Sequence, residues 1–222
     1  MKKHRIWTTA LVALVVVLML TTAAFARNTS PPKTTPAASE SLVTIIAKEM
    51  PTKDNVFGSL PYLKTYIDKD IGDKVNKSIT KLYEDTVAAN KDSKVTFSYT
   101  ISGDEQYLSL IMNVEVNSGN TSSKDVHTIV LSKQEAKICT LQDIMSAENA
   151  YKTATETVRK QIAQHPEKYL QGVAGKAVVD KNTAFYVDEK SQIVVVFNKY
   201  SIAPGVTGAP SFTVETLESP TI

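Results

Sequence analysis

The chain has 222 residues, 42% of them hydrophobic and 22% charged, with 25 Lys+Arg against 23 Asp+Glu. That is enough apolar material for an ordinary core, while the near balance of charge excludes a field strong enough to gather nucleic acid or anionic lipid. A single cysteine, Cys139, excludes an intrachain disulfide, so the fold has to be held by its core alone.

The N-terminus carries Lys2, Lys3 and Arg5, then an unbroken apolar run from Ala10 to Leu20, then Ala24-Phe25-Ala26 at the small-x-small spacing that signal peptidase reads. Residues 1–26 are therefore expected to be a signal peptide or, if retained, a membrane anchor. The charge-free stretch 6–26 is close to the roughly 20 residues that span a bilayer. In both cases the basic cluster stays cytoplasmic and everything after Arg27 is expected to face outside, secreted or anchored to the cell membrane. Three of the bases belong to this segment; without them 22 bases face 23 acids, a net charge of −1. Residues 27–40 are rich in Pro, Thr and Ser and poor in large apolar groups, which predicts a disordered linker.

Beyond the linker, Leu42 to Met50 is β-branched enough to open the domain as a strand, and Leu60-Pro61-Tyr62-Leu63 reads as an extended entry to a helix. From Asp70 to Ala89 the period changes: Ile71, Val75, Ile79, Leu82 and Thr86 recur at helical spacing, opposite Asp73, Lys74, Lys77 and Glu84. Lys94 to Ser102 alternates at period two, a turn follows at Ser102–Glu105, and Tyr107 to Val116 returns as the second arm of a hairpin. After a polar loop, Val126 to Leu131 supplies another strand.

Thr140-Leu141-Gln142-Asp143 has a capping residue with an acid three positions on, the signature of a helix start. A longer helix is predicted from Asn149 to His165, with Tyr151, Ala154, Val158 and Ile162 as its buried stripe and Pro166 just past its end. The apolar runs Phe185–Val187 and Ile193–Phe197 flank Asp188-Glu-Lys-Ser191 as a hairpin, and a Pro/Gly loop leads into a last strand, Ser211 to Thr216. The expected class is α+β: antiparallel sheets each packed by a helix, in two related subdomains, 41–123 and 124–222, with one continuous sandwich as the alternative.

The phrase from Phe185 to Pro210, together with Thr140-Leu-Gln-Asp-Ile144, resembles the extracytoplasmic domain-of-unknown-function 3298 family of the bacterial cell envelope, which includes the lysozyme-sensing anti-sigma-V factor of Gram-positive bacteria. Leu60-Pro-Tyr62 and Ile71-Gly-Asp-Lys-Val-Asn-Lys-Ser-Ile79 resemble domain of unknown function 4163. The resemblance implies a binding or sensing module outside the membrane, with a lysozyme-like protein or peptidoglycan as partner. Relatives joined to peptidoglycan deacetylases imply the alternative of an enzyme accessory or hydrolase, and a purely structural envelope protein is the third possibility. The family commonly shows a Gly-Gly-Ala-His-Gly-like loop where this chain has Asn117 to Lys124.

Catalytic patterns are poor. Of the three histidines, His4 belongs to the signal, His127 opens a strand and His165 precedes Pro at a helix end. Cys139, between Ile138 and Thr140, reads as a small buried apolar group rather than a nucleophile. No Cys/His spacing supports a metal, no cofactor motif is present, and the pairs Asp104/Glu105 and Asp188/Glu189 fall at turns. The chain is thus expected not to be an enzyme. The candidate ligand-binding surface is the loop carrying Tyr200, Ile202, Pro204, Gly205, Val206, Thr207 and Gly208, where an aromatic anchor and apolar groups ride on a backbone shaped by Pro and Gly. Its competing explanation is that Tyr200 and Ile202 merely seal the end of the core.

Overall fold

The computed structural model describes residues 43–49 and 54–218, which lie within one compact unit, Ser41–Ile222. The expected signal or anchor at 1–26 and linker at 27–40 lie outside the described residues. Among the described residues no helix is long and apolar enough to cross a membrane.

Six strands form the first sheet in chain order: β1 (Thr44–Glu49), β2 (Val56–Thr65), β3 (Lys94–Gly103), β4 (Tyr107–Ser118), β5 (Thr121–Ser132) and β6 (Lys137–Cys139). Neighbours are antiparallel except β2 and β3, which run parallel where Val56–Gly58 meets Val95–Phe97. A parallel pair cannot be joined by a tight turn, and the helix α1 (Lys69–Ala89) is the crossover between them. The α+β class read from the pattern is thus met, with one parallel join inside an otherwise antiparallel sheet.

The Asp68 carboxylate accepts from the Ile71 N–H at 3.0 Å and so caps α1. The helix buries Val75, Ile79, Tyr83 and Val87 against Leu60, Phe97, Leu110 and Met112. Leu82 and Thr86, expected in that stripe, sit half-buried at its margin. The ring of Tyr83 lies 5.4 Å from that of Phe97, so the larger aromatic contact sets the rotation of the helix about its axis.

Leu60–Leu63 belongs to β2 rather than to a helix entry. Pro61 suggests a break, but β3 accompanies β2 only as far as Gly58, and beyond that β2 is an edge on that side. There the Asn76 side chain accepts from the Leu63 N–H and donates to its C=O, both at 2.9 Å. Two residues back, Pro61 would point a missing N–H the same way, where no strand needs it. Asn76 from α1 therefore takes over where β3 leaves off.

Residues 117–124, expected as a loop, continue β4 and β5 to a two-residue turn closed by Ser118 and Thr121. Gly119, at φ +60°, holds the first turn position, the placement a type II′ hairpin requires.

The second sheet is antiparallel: β7 (Ala184–Val187), β8 (Gln192–Val196) and β9 (Ser211–Thr216). Before it come α2 (Leu141–Ile144), closed by a reciprocal Thr140–Asp143 capping box, and α3 (Ala150–Gln164). Ala150, Ala154, Val158 and Ile162 of α3 are buried with Val187, Ile193, Val195 and Phe212 of the sheet, while Tyr151 packs at the margin. Strand β7 crosses the large sheet on the face away from α1. Ser109, which alternates with the inward Leu108 and Leu110, donates its hydroxyl to the Val187 C=O at 3.0 Å and accepts from the Val187 N–H at 2.9 Å.

Asn76, Ser109 and Thr155 solve one problem in one way. All three are buried, and each satisfies both backbone groups of a single residue on another element: Leu63, Val187 and Val179. Buried polar atoms left single would weaken the fold by about 1–3 kcal/mol each, and bracketing a peptide unit satisfies both partners at once.

Candidate functional site

The loop between β8 and β9 is tied down at its start. Asn198 accepts from the Val126 N–H at 3.0 Å through its side chain, the Lys199 N–H donates to the Lys124 C=O at 3.1 Å, and the Lys199 ammonium donates to the Ser122 hydroxyl at 2.8 Å. Further on, the Ile202 C=O accepts from the Leu170 N–H at 3.0 Å, and Phe197 N–H donates to the Pro210 C=O at 2.9 Å, pinching the loop closed.

Within this frame the candidate residues divide. Ile202 is buried in the second core beside Phe212 and Val158, and Ala203 follows it inward. Tyr200 and Val206 go the other way, 54% and 98% exposed. Tyr200 has φ +69°, a left-handed backbone that residues with a side chain rarely adopt. Its ring lies over Gly205, where an added Cβ would meet the ring at 2.1 Å, and the Lys199 ammonium stands 4.9 Å from the ring centroid. Pro204 enters a single 3₁₀ turn, Gly205–Thr207, whose tip is Val206, and Gly208 leaves it at φ +76°. Pro204 and Thr207 are exposed; Gly205 and Gly208 are half-buried. Ile202 therefore seals the core while Tyr200 does not: neighbouring residues of one loop serve opposite sides.

Elsewhere, His165 and the turn acids are placed singly, while Cys139 and His127 line one cleft. Cys139 is buried at the end of β6, and desolvation pushes its thiol pKa up, against a nucleophilic thiolate. His165 ends α3 with Nδ1 3.7 Å from Glu167. The turn acids act as local caps: Asp104 accepts from the Gln106 and Tyr107 N–H groups at 2.8 Å, and Asp188 from those of Lys190 and Gln192 at 2.8 and 2.9 Å.

His127 opens onto solvent from β5, yet the surrounding walls lower its pKa by desolvation, with Asp125 opposing weakly. It lines an open cleft of 260 Å³ where β5, the start of α2 and the segment 180–185 meet. Cys139, Thr140, Tyr151 and Lys181 share that cleft with one carboxylate, Asp180, whose oxygen is taken up by the Asn182 N–H at 2.8 Å and the Thr183 hydroxyl at 3.2 Å. Among the described residues no three His, Cys, Asp or Glu side chains gather as a metal-holding group. Sequence inspection missed this cleft because its walls come from segments some 50 residues apart; Asp180-Lys-Asn-Thr183 signals only a turn.

A six-stranded sheet covered by α1 on one face and met on the other by the β7 edge of a three-stranded sheet with its own helix defines an α+β fold, and one solved structure agrees with it. Residues 142–216, from α2 to the end of β9, match the family described as "Protein of unknown function (DUF3298)". Over 196 residues the chain is 23% identical to the anti-sigma-V factor of Bacillus subtilis (strain 168), covering 80% of this chain and 68% of that protein. A crystal structure of a family member from Bacteroides fragilis superposes with a TM-score of 0.53 at 12% identity, covering 78% of this chain and 90% of that one. One from Pseudomonas aeruginosa PAO1 gives 0.49 at 13%, covering 78% and 88%.

Proposed function

We propose that this protein is a non-enzymatic binding or sensing module of the bacterial cell envelope, working outside the membrane, with the Tyr200–Gly208 loop as its contact surface. The observation that carries the proposal is the pair Tyr200 and Val206, held out to solvent on a loop anchored at both ends. A Tyr kept in a left-handed conformation is strained by about 1 kcal/mol, and such strain concentrates where a side chain must be presented. A rigid apolar tip loses little entropy on docking. Similarity to an anti-sigma factor supports a protein-binding role, and the export-type N-terminus supports the compartment. A lysozyme-like protein or a cell-wall ligand is the partner; a net charge of −1 outside the N-terminal segment gives a cationic partner little steering, so recognition rests on the apolar tip.

The full chain used as bait in its own envelope extract, and separately against a lysozyme at low salt, tests the proposal. Val206→Asp puts a charge on the tip, and Gly205→Ala displaces the Tyr200 ring; both are expected to reduce capture about ten-fold or more with unchanged thermal stability. Capture equal to wild type by both variants overturns the loop as the contact surface. The second reading, an enzyme or accessory acting on peptidoglycan, is favoured by one observation, His127 and Cys139 in a shared cleft. Turnover of wall fragments by the purified chain, abolished by His127→Ala, would replace the binding reading with it.

A further inference from the structure

The cleft beside His127 lies over a place where a strand edge is left open. In the β4–β5 hairpin the closing pair Ser118–Thr121 of a two-residue turn exchanges hydrogen bonds, and by alternation Lys124, Val126 and Thr128 of β5 turn their backbone groups away from β4. The structure agrees at both upstream positions, where Lys199 covers the Lys124 C=O and Asn198 covers the Val126 N–H. Downstream, β6 pairs with β5 only from Val130 onward, because after Cys139 the chain turns away into α2. Thr128 is left between these covers. Its outward N–H and C=O have no backbone or side-chain partner among the described residues, while its hydroxyl is spent accepting from the Phe185 N–H at 3.0 Å on the sheet face.

Thr128 also lines the cleft together with Cys139, Thr140 and Leu141, the chain that leaves β6 along this edge, so the open rung borders the cleft. Beside it stand His127, Thr140 and Asn182, and Lys181, which makes no ion pair among the described residues. At 260 Å³ the cleft falls just below the range of about 300–1,000 Å³ that holds drug-sized ligands, which limits an occupant to two or three residues of chain.

We propose that this cleft binds a short extended peptide, which adds one rung to β5 by pairing with the Thr128 N–H and C=O and sets its terminal carboxylate toward Lys181. Strand addition supplies recognition through main-chain hydrogen bonds, so the required feature is an extended amide with a free acid end, not a particular side chain. This site is separate from the Tyr200 loop, and either can fail without the other.

Trialanine as the free acid, titrated into the isotope-labelled full chain in detergent, tests the proposal by amide chemical shifts. Saturable shifts are expected at Thr128, Lys181 and Asn182, with slowed hydrogen exchange of the Thr128 amide. Thr128→Pro removes the outward N–H without removing a rung to β4, and is expected to weaken binding about ten-fold, the worth of one hydrogen bond. Thr128→Val loses only the hydroxyl bond to Phe185 and is expected to bind as wild type. The proposal is overturned if shifts are absent or do not saturate, if they fall on the Tyr200 loop instead, or if the proline variant binds as well as the valine one. Should the proline variant fail to fold, unchanged exchange of the wild-type Thr128 amide on adding peptide overturns it equally.

Discussion

Around α1 the core is enclosed chiefly by four strands of 10 to 12 residues, whereas around α3 it is enclosed by strands of 4 to 6 residues and by long connecting segments. In the first region nearly every inward position is a strand or helix residue, and the side chains alternate between core and solvent in a fixed rhythm. In the second, Ala177, Val179 and Ile202 reach the core from outside any strand or helix. A loop freed from that rhythm can send one residue inward and the next outward, as Ile202 and Tyr200 do. The exposed apolar tip belongs to this second manner of closure, and the open cleft lies where its segment 180–185 meets the long strand β5.

The comparison can be broken most forcefully at Gly58. There β2 meets β3 with φ +88°, and a Cβ would sit 1.8 Å from the Phe97 carbonyl oxygen. Gly58→Ala is expected to destabilise by more than about 3 kcal/mol, read by chemical denaturation, because the parallel pair must separate. A result within 1 kcal/mol of wild type would show that this join contributes little.

Within the second region, Ile202→Ala is expected to destabilise by about 2–4 kcal/mol, the range for truncating a buried isoleucine, while Val206→Ala stays within about 0.5 kcal/mol. Equal effects would mean that the loop does not divide between core and surface.

The smallest effect sharpens the boundary between the regions. Tyr66, at the end of the first core, donates its hydroxyl to the Ser132 C=O at 2.8 Å, and burial pushes its pKa up to about 12. A raised tyrosine pKa means that the native state favours the protonated form. That contribution is complete below the usual value near 10 and is lost as pH rises through about 12. Tyr66→Phe should cost about 1 kcal/mol at neutral pH and flatten the alkaline fall in stability, followed by denaturation midpoints from pH 9 to 12. An unchanged alkaline profile would assign that fall to other groups.

Local chemistry made much of the framework legible: the helical period of 70–89, the alternation of 94–116, the capping box at Thr140 and Asp143, the turn acids, and a last strand at Ser211–Thr216. Each rests on neighbours within a few residues, where period and capping are decided. The stripe of α1 was less legible, since Leu82 and Tyr83 are both apolar enough to face inward and only contact with Phe97 selects the tyrosine. The polar stretch 117–124 carries no apolar alternation, and only pairing with a long neighbour makes it strand.

For the candidate sites, composition drew attention to Tyr200–Gly208, because Pro and Gly punctuate an apolar phrase. Which of its residues turn outward, and that β2 and β3 run parallel with Asn76 completing the edge, depend on contacts between segments far apart in the chain. The open rung at Thr128 is of the same kind, since it exists only because β6 and the Asn198–Lys199 segment stop on either side of it. Sequence by itself therefore determined the helices, the turns and the class of fold, through interactions a chain makes with its own near neighbours. Tertiary structure alone decided what remained exposed, because exposure is whatever surface the distant segments leave uncovered.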